Sequence, residues 1–361
     1  MQTESKKLTL PIKVFDFFSG CGGTSKGFQN AGMDIVFALD NDPDSERTFT
    51  KNFPNAKFER KNIRSVSEDI LTNLITENSG HPILFSGCAP CQPFTRQNTQ
   101  RTENQEQIFL LKEFQRFIEF HLPDYVFVEN VPGLQNVAKE KGPFTEFVTT
   151  LKEKEYQVDY KVIASKNFGV PQRRRRLVLI ASRLGKIEFP KETHGPNTDN
   201  LKFSSVAQWI KDLPALKAGE SHPTIPNHIA AGLSETNLQR LQATPPGGSR
   251  TAWPEDLVLA CHSGNYQGHS DVYGRMKWGE PASGLTTRCI SLSNGRFGHP
   301  EQNRAISVRE AACLQTFPRD FVFEGSLNST ARQIGNAVPV ILAQKFGENF
   351  INHFLEVTKG E

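Results

Sequence analysis

The chain has 361 residues, 37% of them hydrophobic and 22% charged, with a formal net charge of +3. That length buries a substantial core and accommodates one large domain plus a smaller one. No apolar stretch reaches membrane-spanning length, and Met1-Gln2-Thr3-Glu4-Ser5-Lys6-Lys7 lacks the apolar core of a signal peptide, so a cytoplasmic protein is expected. Six cysteines over this length form no disulfide framework and are expected as thiols. The weak average charge means that a nucleic-acid partner would have to meet clustered charge, such as Arg173-Arg174-Arg175-Arg176.

In chain order, Val14–Phe18 reads as a strand, followed by a glycine-rich turn and a helix ending near Gly32. Further strands are predicted at Ile35–Leu39, Ile83–Gly87 and Tyr125–Glu129, with helical spacing from Ile108 to Phe120 and another apolar run at Leu177–Ile180. Short apolar strands alternating with helices predict a doubly wound α/β domain with a mostly parallel sheet. The texture changes between 190 and 300, where glycine, proline and histidine accumulate without a long helical period. This segment reads as a smaller domain rich in loops and short strands. Helical order returns at Ser307-Val308-Arg309-Glu310, a capping-box match, with the helix running towards Phe317-Pro318. A last helix is expected from about Pro339 to about Leu355.

Four constellations carry chemistry. The first, Asp16-Phe17-Phe18-Ser19-Gly20-Cys21-Gly22-Gly23-Thr24, runs from a strand through clustered glycines into a helix, so that backbone can approach a ligand closely. It is not a Walker loop, and Ser25 replaces the third glycine of the Rossmann fingerprint. Asp40 lies at the end of the next strand, where a carboxylate can accept from a ribose. A nucleoside-containing cofactor fits this order.

The second is Ser86-Gly87-Cys88-Ala89-Pro90-Cys91-Gln92-Pro93-Phe94. On the residues alone it is open between half a zinc site, a redox pair and a nucleophilic cysteine at a strand's carboxyl end. No second Cys pair or close Cys/His set completes a metal site. The third, Glu129-Asn130-Val131-Pro132, puts a carboxylate where a strand ends, as an N-cap or ion-pair partner if not as a functional group. The fourth is Gln172 with the arginines after it, on the lip of a buried strand. Some of those arginines must point inward and find partners.

In this order the motifs resemble the cytosine-C5 methyltransferase family of bacterial restriction–modification systems, and the likeness spans nearly the whole chain. Asp16 through Gly23 resembles the cofactor motif, and Pro90-Cys91-Gln92 the catalytic loop. Glu129-Asn130-Val131 resembles the third signature, and Pro171-Gln172-Arg173-Arg174-Arg175-Arg176 the Q-x-R-x-R signature. The run from Arg304 to Pro318 resembles the motif after the recognition region, and Gln333-Ile334-Gly335-Asn336-Ala337-Val338-Pro339 the last motif. Two departures stand out. Asn62 occupies the place of an aspartate that touches the adenine amino group, and Cys88 that of a common glycine.

The resemblance implies a Rossmann-like domain dependent on S-adenosylmethionine, formed by residues 1–189 and 301–361, and a target-recognition domain over 190–300. It implies Cys91 as nucleophile on C6 of a flipped cytosine, Glu129 at N3 and the exocyclic amine, Arg176 at O2, and Arg174 supporting nearby anionic groups. Phe18, Gly20, Cys21, Gly22, Gly23, Asp40, Asn41, Asn62, Ile63, Pro90, Leu110, Asn336 and Ala337 are the implied cofactor contacts, with Gln92 and Gln172 at the substrate. The partner would be double-stranded DNA, with no metal and no membrane. The enzyme would act as a monomer in the bacterial cytoplasm, nucleoid-associated when bound to DNA. The rival expectations are a tRNA cytosine-C5 methyltransferase, which Pro90-Cys91-Gln92-Pro93-Phe94-Thr95-Arg96 also resembles, a thiol–disulfide oxidoreductase using Cys88 and Cys91, and a DNA-binding regulator with a relic site.

Overall fold

The computed structural model describes residues 11–89, 105–136, 142–196, 199, 201–260 and 271–359. The near-continuous apolar runs become strands covered on both faces. These are β1 (Lys13–Phe17), β2 (Asp34–Asp40), β4 (Ile83–Gly87) and β5 (Tyr125–Asn130), with β3 (Lys57–Arg60) beside β2. β6 (Gln157–Ala164) and β8 (Arg175–Ser182) complete a seven-stranded sheet of order β3-β2-β1-β4-β5-β8-β6. β1 to β5 pair in parallel, whereas β8 runs antiparallel to both β5 and β6. The winding reverses between β1 and β4, and the crevice at such a switch point is where open α/β sheets bind ligands.

Alternation along the strands sorts side chains to two faces. Phe15, Phe17, Phe85, Val126 and Leu179 pack with Phe114 and Phe117 of α4 (Gln105–His121) and Phe147 of α5 (Pro143–Glu153). Val14, Leu84, Phe127 and Ile180 pack on the other face with Phe28 of α1 (Gly23–Asn30) and Phe346 and Phe350 of α10 (Val340–Val357). α1 and α10 touch through small residues: a Cβ on Gly27 would lie 2.5 Å from the Val340 carbonyl oxygen. The C-terminal helix is thus locked against the helix that follows the glycine loop.

The segment from 190 to 300 holds the short helices α6 (Val206–Ile210) and α7 (Glu235–Gln242). Instead of several strands, its described residues form one two-residue strand, β9 (Ala282–Ser283), paired with β7 (Gln172–Arg173), plus isolated bridges. Two arginine side chains, Arg275 buried and Arg296 half-buried, satisfy backbone that a ladder would otherwise pair. Arg275 donates to the carbonyls of Leu241, Thr244, His299 and Gln302, and Arg296 to those of Gly247, Gly248 and Arg275. Val206, Ile210, Met276, Leu285 and Phe297 share one apolar cluster with Phe49 of α2 (Pro43–Asn52), Ala311 and Leu314 of α8 (Val308–Leu314) and Ile334 of α9 (Leu327–Asn336).

The predicted capping box is present. Ser307 Oγ accepts from Glu310 N at 3.0 Å, and Glu310 Oε2 accepts from Ser307 N at 2.7 Å. That helix ends at Leu314, short of the expected Phe317. Pro339 caps α10 from outside rather than occupying its first turn.

Candidate active site

The loop after β1 turns sharply because Phe18, Gly20 and Gly22 all take the left-handed conformation, at φ 56°, 52° and 91°. Gly22 caps α1 without a side-chain bond, leaving the helix N-terminus facing the crevice. Asp40, at the end of β2, accepts from Gly20 N at 2.9 Å and from Asp42 N at 3.0 Å. Its burial pushes the carboxyl pKa upward against those backbone donors. Among the described residues the space beyond Gly20 is open, with nothing within 4 Å of where a Cβ would stand. At Gly23, by contrast, a Cβ would lie 2.6 Å from the Val338 carbonyl oxygen and 3.0 Å from Ala337 Cβ. The glycine loop and the last motif, distant in sequence, are therefore in contact.

Beneath the loop, Asp16 is fully buried and accepts from Ser25 Oγ at 2.6 Å. Its Oδ1 and the Ser19 hydroxyl have no partner among the described residues. Desolvation pushes the Asp16 carboxyl up to about 7. Cys21 is buried, its Sγ 3.6 Å from the Gln333 carbonyl oxygen, and burial pushes its thiol up to about 12. Cys88 contacts Thr24 Oγ1 at 3.7 Å and is likewise pushed up, by burial first and then by the Glu129 charge. A thiol held this way is a poor thiolate.

On β5 and β8, alternation brings Glu129 and Arg176 to one face of the sheet, with Arg176 Nε 2.8 Å from Glu129 Oε1. The approach is close but off the N–H direction, so that among the described residues the buried oxygen makes no hydrogen bond. Asn130, next along the strand, donates from Nδ2 to the Ala89 carbonyl at 3.0 Å and accepts from Val131 N at 2.7 Å. One dipeptide thus holds an acid–cation pair and clamps the exit of β4. Among the four arginines, Arg173 and Arg175 are exposed, Arg176 is half-buried and Arg174 is buried. Arg174 Nη1 donates to the carbonyls of Leu285 at 2.8 Å and Gly335 at 3.0 Å, and Nη2 to that of Ala337 at 3.4 Å.

Gln172 is fully buried with its amide occupied. Nε2 donates to the Leu314 carbonyl at 2.6 Å and to Gln315 Oε1, while Oε1 accepts from Leu285 N at 3.0 Å. Phe18, Ile63 and Leu110 border one apolar cluster, Ile63 buried and the other two partly so. Asn62 caps a short turn by accepting from Arg64 N at 3.1 Å, and Asn41 and Asn336 are exposed. Pro90, Cys91 and Gln92 lie outside the described residues. Sequence reasoning gave no part to Gln315, Asn130 or Ser25. The signal for Gln315 was a polar residue closing the apolar run Ala311-Ala312-Cys313-Leu314. The described residues contain no group of three His, Cys, Asp or Glu that could hold a metal, and no helix is long and apolar enough to cross a membrane.

A sheet of this order, with a glycine loop and β2 carboxylate on one side of the switch and an acid–cation pair at the far strand ends, defines a Rossmann-like methyltransferase domain. The chain belongs to the C-5 cytosine-specific DNA methylase family, whose model matches residues 12–352, and is accordingly a DNA (cytosine-5) methyltransferase. It is 39% identical over 348 residues to the Type II methylase M.HgiDII of Herpetosiphon aurantiacus, covering 95% of this chain and 96% of that one. It is 32% identical to the Type II methyltransferase M1.HphI of Haemophilus parahaemolyticus, covering 94% and 86%. Among solved structures it is similar in fold to a prophage-encoded DNA modification methyltransferase of E. coli. The TM-score there is 0.73 at 21% identity, covering 95% of this chain and 99% of the other.

Proposed function

We propose that the chain transfers a methyl group from S-adenosylmethionine to carbon 5 of a cytosine in a specific duplex DNA sequence, using Cys91 as nucleophile. We further infer that it is the modification enzyme protecting host DNA from a cognate restriction endonuclease, a role supported by its likeness to Type II methylases. The observation that carries the reading is the Glu129–Arg176 pair at the ends of β5 and β8, on the same sheet as the glycine loop.

The crevice fits the cofactor. Open space at Gly20, the turned carboxylate of Asp40, and the orphaned Asp16 Oδ1 and Ser19 Oγ suit a ligand with both polar and cationic parts. Phe18, Ile63 and Leu110 would line the adenine, with Asn41 and Asn62 at its edge. Asp40 would hold the ribose. Backbone from Gly20 through Gly23, with Asn336 and Ala337, would meet the methionine part. Pro90 would contribute from the catalytic loop. Bound there, S-adenosylmethionine supplies an electrophilic methyl carbon.

The target base must leave the stack to be reached. The Cys91 thiolate adds to C6, and Glu129 hydrogen-bonds N3 and the exocyclic amine, so that electrons pushed into the ring are met by a proton. Arg176 binds O2 as negative charge gathers there. Carbon 5 thereby becomes nucleophilic enough to accept the methyl. Loss of the C5 proton to a base or ordered water then allows Cys91 to be eliminated. Gln92 would touch the flipped nucleotide, while Gln172, with its amide already occupied, would act by holding the strand that carries the arginines. Residues 1–189 and 301–361 form the catalytic unit in this reading, and 190–300 reads the DNA sequence. The enzyme would work as a monomer in the bacterial cytoplasm.

The reading is tested with methyl-labelled S-adenosylmethionine offered to duplex DNA and, separately, to tRNA. Label on cytosine C5 of DNA, lost in Cys91→Ser, is expected; label on tRNA alone contradicts it.

A further inference from the structure

Among the described residues, buried Arg174 has no carboxylate in hydrogen-bond contact, and its Nε has no partner. Three backbone carbonyls receive its Nη atoms, and two of them, from Gly335 and Ala337, belong to the C-terminal end of α9. The last carbonyls of a helix lack internal partners and carry partial negative charge, so a guanidinium satisfies both needs. Gln315 adds to the same end, donating from Nε2 to the carbonyls of Ile334, at 3.1 Å, and Ala337. Both amide hydrogens of Gln315 are then occupied.

The same group of side chains grips a second segment. Arg174 holds the carbonyl of Leu285, Gln172 holds its N–H, and Gln172 is in turn bonded to Gln315. Residue 335 must be glycine here, since a Cβ would stand 2.1 Å from the Thr286 carbonyl oxygen. Asn336, exposed, is the last residue of the helix so capped, and the next residue, Ala337, lies against Gly23 of the glycine loop, 3.0 Å from where a Cβ there would stand.

We propose that Arg174 and Gln315 are positioning residues: together they cap α9 and dock its Gly335–Ala337 end onto Leu285–Thr286, fixing Asn336 for cofactor binding without touching either substrate. The inference rests on the cofactor reading above. It differs from a part for Arg174 in supporting anionic groups near the base, because both Nη atoms donate to backbone carbonyls. A planar fork reaching three carbonyls is beyond a lysine ammonium in the same place, which can keep the charge but not the geometry.

The test is calorimetric titration of S-adenosylhomocysteine into the full-length protein, with steady-state kinetics and amide exchange on the same variants. Arg174→Ala and Gln315→Met are expected to weaken binding about tenfold or more, and to raise KM for S-adenosylmethionine far more than they lower kcat at saturation. Arg174→Lys should recover only part of the loss. In the unliganded variants, faster exchange should be confined to residues around 285–287 and 334–337. Should Arg174→Ala not fold, Arg174→Lys and Gln315→Met carry the test, since both keep most of the buried volume. Unchanged S-adenosylhomocysteine affinity with a large fall in kcat would overturn the inference and return Arg174 to supporting the anionic groups near the base. Wild-type protein that fails to bind S-adenosylhomocysteine would instead overturn the cofactor reading itself.

Discussion

Arg176 Nε lies 2.8 Å from Glu129 Oε1, joining β8 to β5 on the face of the sheet that also carries Asp16. The carboxylate is nearly buried, and among the described residues its Oε1 has a cation beside it but no aligned hydrogen bond. Glu129→Gln keeps the shape and removes the charge. It should lower kcat by about 10²–10⁴-fold, with duplex-DNA affinity changed far less, as expected of a group that acts in the transition state. Single-turnover methylation with a DNA-binding control checks this; equal losses in binding and turnover would count against it.

Asp16 gives a pH dependence with a defined sign. Its folded carboxyl is raised from 3.8 to about 7 by burial, so the native state holds a proton that the unfolded chain has released. The stability it contributes is fully present below about 3.8 and is lost as pH rises through about 7. Asp16→Asn, neutral throughout, should flatten that part of the profile and stabilise the protein at pH 8 by about 1–4 kcal/mol relative to wild type. Urea unfolding from pH 5 to 8 measures it. Parallel profiles for the two proteins would remove Asp16 from the explanation.

Two glycines of one loop should respond differently to alanine. At Gly20 the cost is conformational only, φ 52° with open space beyond, and about 1 kcal/mol is expected. At Gly23 the new methyl would meet the Val338 carbonyl oxygen at 2.6 Å, so the start of α1 must shift from the Ala337–Val338 segment at a cost of about 2 kcal/mol or more. Chemical denaturation midpoints for the two variants, compared side by side, should keep that order.

Arg304 and Glu310 form a two-pronged pair, both contacts 2.7 Å, with the side chains 0% and 1% exposed. Removing one partner strands the other charge in the interior. Arg304→Met alone should therefore cost about 3–5 kcal/mol, and Arg304→Met with Glu310→Leu less than the sum of the two single changes. A double-mutant cycle on thermal unfolding decides whether the pair is coupled in this way.

The central strands were legible because their apolar runs carry their own signal: β4 begins and ends at the predicted residues, β1 and β2 differ by one residue at each end, and β5 by one at its C-terminal end. β3 and β6 escaped notice because they are edge strands, with one side of each open to solvent and sequences such as Lys57-Phe58-Glu59-Arg60 that read as surface. β8 was seen as a buried run, but its antiparallel direction depends on pairing with β5 and β6, which no local pattern encodes. In the site, Glu129, Arg176, Asp40 and the glycine loop stand at strand ends, where the motif order put them. The work of Arg174 and Gln172 was not readable. Their partners lie more than 100 residues away, at Leu285, Leu314 and Gly335, and only the folded chain brings these carbonyls within reach.

The most direct test of the account is base-resolution mapping of 5-methylcytosine in DNA from cells expressing the wild-type chain or Cys91→Ser. Methylation at one cytosine of one short, fixed sequence is expected with the wild type and none with the variant. Genomic DNA without a modified cytosine in any fixed context, or an undiminished mark with Cys91→Ser, would contradict it.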